Sequence, residues 1–153
     1  MNQLFGVQNG FPSFMASTHA LDNLQDAEYY NARLSKVKVK FEQVMEGLKL
    51  REAKGIIPPT FVIDKVLTEM NSFVGQKPED NILYKNFAEK LGKVKDIDQA
   101  MRERLLADAK SQIESTVYPA YQLFIGYFTE LKPKSTNDAG VWKMPDGEAY
   151  YAF

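Results

Sequence analysis

The stretch YNARLSKVKVKFEQVMEGL, running from Tyr30 to Leu48, decides the fold. Its apolar residues fall at Leu34, Val37, Phe41, Val44 and Leu48. These are alternating steps of four and three, so they line one stripe of a helix. Lys36, Lys40, Glu42, Glu46 and Lys49 lie largely off that stripe. Val37-Lys38-Val39-Lys40 alternates like a strand, but the longer helical register runs straight through it and prevails. Upstream, Asn23 followed by Asp26 resembles a capping box, which starts the helix. Downstream, Gly55 closes it with a left-handed cap.

Working outward, Pro58-Pro59 opens a second helix, because proline is tolerated where the first amides have no partner. Val62, Ile63, Val66, Leu67, Met70 and Phe73 follow at helical spacing until Gly75 to Pro78 ends it. Ile82, Leu83, Phe87 and Leu91 make a shorter helical piece before Gly92. Asp96 with Gln99 offers another cap for a long periodic stretch through Met101, Leu105, Ala109, Ile113, Val117, Phe124 and Phe128 to Leu131. At ~1.5 Å per residue this helix is on the order of 50 Å long. Pro119 falls inside it, removing one amide donor and crowding the carbonyl of Ser115, so a kink is expected there, with the hydroxyl of Ser115 or Thr116 helping to solvate that carbonyl. The expected fold is all-α, an antiparallel array with two long helices, one kinked at Pro119. Residues 1–22 read as an irregular arm, 23–132 as the helical domain, and 133–153 as loop, turn and the start of a further helix.

Composition narrows the function. The 153 residues suit one domain that buries roughly 70% of its unfolded surface. An apolar fraction of 44% with 10 Phe and 8 Tyr marks a chain that folds. A net charge of −1 generates no global field toward nucleic acid or an anionic membrane. No cysteine is present, which excludes disulfides, thiolate metal sites and thiol nucleophiles. No apolar run reaches the ~20 residues that span a bilayer.

Catalytic signatures are missing from the sequence. The single His19 cannot make a His-Glu-x-x-His motif or serve a Ser-His-acid triad that lacks its Gly-x-Ser-x-Gly elbow. It reads as a solvated or capping histidine near a helix start. The pairs Asp26/Glu28 and Asp96/Asp98 sit at helix starts, where the helix dipole accounts for them. The basic cluster Arg33, Lys36, Lys38 and Lys40 reads as a solvated helix face rather than a nucleic-acid site. Aromatic residues are the remaining candidates. Tyr118 and Tyr121 lie beside the kink, and Trp142, Tyr150 and Tyr151 lie near the end, as core, interface or cleft lining.

The set Tyr30-Asn31-Ala32-Arg33-Leu34, Gly55-Ile56-Ile57-Pro58-Pro59, Val117-Tyr118-Pro119-Ala120-Tyr121 and Gly140-Val141-Trp142-Lys143-Met144-Pro145-Asp146-Gly147-Glu148-Ala149-Tyr150-Tyr151 resembles the bacterial family called domain of unknown function 885. Order and spacing agree over most of the chain. Pro133-Lys134 departs from it, since an arginine is expected after that proline. The resemblance implies a large, mainly helical protein of the gluzincin type of zinc metallopeptidase, often a lipoprotein or exported, whose metal motif lies downstream of the matched region. It supplies no catalytic or metal residue here.

The expected function is thus a non-catalytic helical segment of a metallopeptidase-like protein, lining part of its substrate cleft through Trp142, Tyr150, Tyr151, Tyr118 and Tyr121. The resemblance implies no cofactor for this chain and zinc for the intact protein. The ending in Tyr150-Tyr151-Ala152-Phe153 suggests a piece of a longer polypeptide. Its partners are then the rest of that polypeptide, or another copy through exposed apolar surface, and neither nucleic acid nor a transmembrane segment is expected. The resemblance tilts localisation toward the bacterial envelope or periplasm, with the cytoplasm as the other option. The alternative function is a free-standing helical interaction module.

Overall fold

A computed structural model describes residues 6–140 and 146–150. Among them it is all helical: α1 (Val7–Ser17), α2 (Leu24–Ser35), α3 (Val37–Ala53), α4 (Thr60–Val74), α5 (Ile82–Lys93), α6 (Gln99–Gln112), α7 (Tyr118–Leu131) and the short α8 (Gly147–Tyr150). The spine of the molecule is α6 and α7, joined without a loop by a π-turn at Ile113–Val117. Helices α2 and α5 pack on its α6 half, and α3 and α4 pack on its α7 half. Helix α1 lies against α5.

Local chemistry explains most boundaries. The Asn23 side chain accepts the Asp26 amide at 3.0 Å and starts α2. Asp98, rather than the expected Asp96, caps α6 by accepting the Met101 amide at 2.7 Å. Gly55 has φ 72 at the end of α3. The amides of Gly55 and Ile56 bond the carbonyls of Glu52 and Arg51, each at 2.9 Å, completing a Schellman motif. Pro59 precedes α4, and the first amide of that helix, from Thr60, is satisfied by the Thr136 carbonyl at 2.9 Å. The loop after Pro133 therefore closes the start of α4.

Three expectations change. First, the rod read as one helix from Asn23 to Gly55 breaks between α2 and α3. Lys36 has φ −97 and ψ −3, its amide reaches back to the Arg33 carbonyl, and the Ser35 hydroxyl donates to Ala32 at 2.8 Å. These contacts tighten one turn while leaving the stripe continuous, with Leu34, Val37, Phe41 and Leu48 all buried. Second, the discontinuity near Pro119 is the π-turn itself: the Tyr118 amide bonds Ile113, five residues back. The hydroxyl of Ser115 instead bonds Ser111 at 2.6 Å, and that of Thr116 bonds the Gln112 side chain at 3.0 Å, so neither serves the freed carbonyl. The α2–α3 break faces this π-turn, which both helices touch.

Third, residues 7–17 of the expected arm are helical even though Pro12 lies inside α1. An internal proline leaves the carbonyl four residues earlier without its amide donor. That carbonyl belongs to Gln8, and the Tyr121 hydroxyl donates to it at 2.6 Å. A tyrosine of the spine thus replaces the missing backbone bond and fixes α1 to α7.

Two aromatic groups fill the interior. Tyr30 stacks on Phe87 at 4.5 Å with His19 edge-on at 5.1 Å, between α2 and α5. Phe41, Phe73, Tyr121 and Phe124 cluster between α3, α4 and α7, with centroids 4.4 to 4.9 Å apart.

Candidate functional site

Tyr118 and Tyr121 stand one turn apart at the start of α7, both against Phe73. Tyr121 is 1% exposed, and burial pushes its phenol well above the ordinary value. Beside it lies a small recess of about 200 Å³ shared with Gln8, Asn9, Ser13 and Glu69. The Tyr118 hydroxyl donates to the Gln76 carbonyl at 2.8 Å and accepts the Asn81 amide group at 3.3 Å. Asn81 is fully buried, and it also donates to the Phe73 carbonyl and accepts the Leu83 amide. One asparagine so joins the end of α4, the start of α5 and the head of α7. Trp142 and Tyr151 lie outside the described residues, as does the side chain of Tyr150. The expected turn at Met144 to Gly147 also lies partly outside them. Asp146 has φ 58, and α8 begins at Gly147.

His19 is 6% exposed and so is a core residue rather than a solvated one. Its Nε2 pairs with the Asp26 carbonyl at 3.0 Å. Burial holds its pKa below the ordinary histidine value, helped by the charges of Arg33 and Lys90 and opposed by the contact with Asp26. The Lys90 ammonium donates to the carbonyls of His19 at 2.7 Å and Met15 at 3.3 Å, neutralising the negative end of α1. Arg102 does the same for α5: its guanidinium donates to the carbonyls of Leu91, Val94 and Ile97. No group of three or more His, Cys, Asp or Glu placed to hold a metal occurs among the described residues.

A concave feature larger than the recess beside Tyr121 lies elsewhere. A groove of about 560 Å³ runs between α1 and the α2–α3 joint. Phe11 and Phe14 come from α1, Tyr29, Ala32 and Arg33 from α2, and Lys36, Val37, Lys40 and Phe41 from the joint and α3. The Arg33 guanidinium sits 5.0 Å above the Phe14 ring, a cation–π contact. Among the described residues three cations and no carboxylate line it. Arg33, Lys36, Lys38 and Lys40 are all exposed, so the basic cluster is a solvated helix face as expected. The available signal for the groove was their spacing: Arg33, Lys36 and Lys40 share one helical face at i, i+3 and i+7, whereas Lys38 does not.

Among solved structures, the chain is similar to the "putative lipoprotein from Colwellia psychrerythraea", with a TM-score of 0.92 and 22% identity. The match covers 98% of this chain and 26% of that one, so the chain spans about a quarter of the length of that protein and shares its fold over that part. No curated protein matches. A family model described as bacterial protein of unknown function, DUF885, matches residues 1–153, and the chain belongs to that family.

Proposed function

We propose that this chain is a non-catalytic helical segment of a zinc-metallopeptidase-like envelope protein and forms one wall of its substrate cleft. The near-complete superposition of the chain on about a quarter of a much longer solved protein supports the reading as a segment, and the metallopeptidase class rests on the family resemblance. A segment of that kind supplies shape and packing to a larger body. Its polar groups are used accordingly: Tyr118, Tyr121, Asn81, Lys90 and Arg102 all bond backbone carbonyls of neighbouring elements. The described residues do not fit zinc, because the sequence has one histidine and its Nε2 bonds the Asp26 carbonyl. On this reading any metal chemistry belongs to residues outside this chain. The name of the structural neighbour favours the envelope. Among the described residues no helix is long and apolar enough to cross a membrane.

The test compares the gene's full reading frame with this chain alone in a peptide-hydrolysis assay with and without a zinc chelator. The full protein is expected to hydrolyse peptides in a chelator-sensitive way, and the chain alone to be inert. Trp142→Ala in the full protein should raise KM with little change in kcat. Turnover by the chain alone, or a full protein indifferent to the chelator, refutes the assignment.

A further inference from the structure

We infer that the groove between α1 and the α2–α3 joint docks an acidic polypeptide segment that anchors itself by an apolar side chain. The floor is apolar, with Phe11 half-buried and Val37 and Phe41 behind it, and the exposed rings of Phe14 and Tyr29 form its walls. Arg33, Lys36 and Lys40 form one rim. Like charges at i, i+3 and i+4 on a helix repel one another. Elsewhere Lys85, Lys93, Lys110, Lys132 and Lys134 each meet a carboxylate. The three rim cations, like Lys38, Lys49, Lys54, Lys65, Lys77 and Lys95, have no such partner among the described residues, and Arg33 rests on an aromatic face.

This unneutralised row beside an apolar slot is complementary to carboxylates flanking a leucine or phenylalanine, the arrangement by which amphipathic segments enter grooves. Concavity decides against a bilayer, whose flat surface reaches protruding side chains but not a recessed floor. The predominance of apolar lining and the net charge of −1 decide against nucleic acid.

Fluorescence anisotropy tests the inference with four probes: a labelled helical peptide carrying a Leu/Phe stripe flanked by glutamates, the same peptide with lysines for glutamates, phosphatidylglycerol vesicles, and a single-stranded oligonucleotide. Lys40→Glu changes the rim, whereas Lys38→Glu makes the same charge change on an exposed residue outside the groove. The acidic peptide should bind, weaken with added salt, and lose roughly fivefold in affinity with Lys40→Glu but less than about twofold with Lys38→Glu. Phe14→Ser should weaken it further with helicity unchanged. Any of four results overturns the inference: no binding of the acidic peptide, equal binding of its lysine counterpart, equal losses for the two lysine variants, or binding of vesicles or oligonucleotide in its place.

Discussion

Replacing Tyr121 by phenylalanine removes one oxygen and no ring, yet it strips the Gln8 carbonyl of the donor that stands in for the amide Pro12 lacks. Gln8 is 6% exposed, so water reaches that carbonyl poorly. A buried acceptor left without a partner costs about 1–3 kcal/mol. For a chain of this size that lowers Tm by roughly 2–4 °C per kcal/mol. The cost should also depend on residue 12. In Pro12→Ala the new amide can bond Gln8 within α1, so the hydroxyl becomes a second donor rather than the substitute. Tyr121→Phe should then cost about 1 kcal/mol less in the Pro12→Ala background than in the wild type, a coupling typical of groups sharing one partner. Urea unfolding followed by far-ultraviolet circular dichroism on the four proteins measures it. Equal costs of Tyr121→Phe in both backgrounds refute the reasoning, since the hydroxyl would then be compensating for nothing.

Other expectations follow from the same interior. Asn81→Ala removes a helix cap and leaves the Phe73 carbonyl without its donor, so unfolding should show a loss of about 2–4 kcal/mol. Arg102→Lys should recover less than half of the stability lost in Arg102→Ala, because one ammonium cannot match a planar fork that reaches three carbonyls. Phe124→Ala, at a fully buried ring, should cost about 3–5 kcal/mol in the same assay. His19 has a lowered native pKa, so the unfolded chain binds the proton more readily. Its contribution is fully present above the ordinary value of 6.5 and declines as pH falls from there toward the lowered native value. A urea series across that window should show the decline in the wild type and a flatter profile in His19→Gln.

Much of the fold was legible because helix stripes and caps are local. Leu34, Val37, Phe41 and Leu48, the Asn23 cap, the Gly55 turn and the double proline before α4 each act within a few residues, and each stands where its chemistry puts it. What escaped is tertiary. The helicity of α1 escaped because the hydroxyl that compensates for Pro12 lies more than a hundred residues away on α7. The Lys36 break leaves no trace in a stripe of alternating threes and fours. The π-turn did leave one: Leu105, Ala109, Ile113, Val117 and Tyr121 are all buried and advance by steps of four. Sixteen residues of a regular α-helix would turn Tyr121 about 160° away from Leu105. Of the candidate site, Tyr118 and Tyr121 were identifiable as the aromatic residues beside the interruption, but not the use of their hydroxyls. The basic face of α2 and α3 was visible, whereas the aromatic wall it meets comes from α1, the segment whose helicity the sequence concealed.

The wider coil at Ile113–Val117 also governs which changes of chain length the spine can absorb. Geometrically it is one surplus residue accommodated without a loop. Winding the same residues as a regular α-helix would instead swing everything after them by about 100°. The rings of Tyr121, Phe124 and Phe128 would leave the interior together. A one-residue deletion should therefore be tolerated within this coil, where it removes the surplus and keeps the two halves of the molecule in phase, far more readily than elsewhere along the spine.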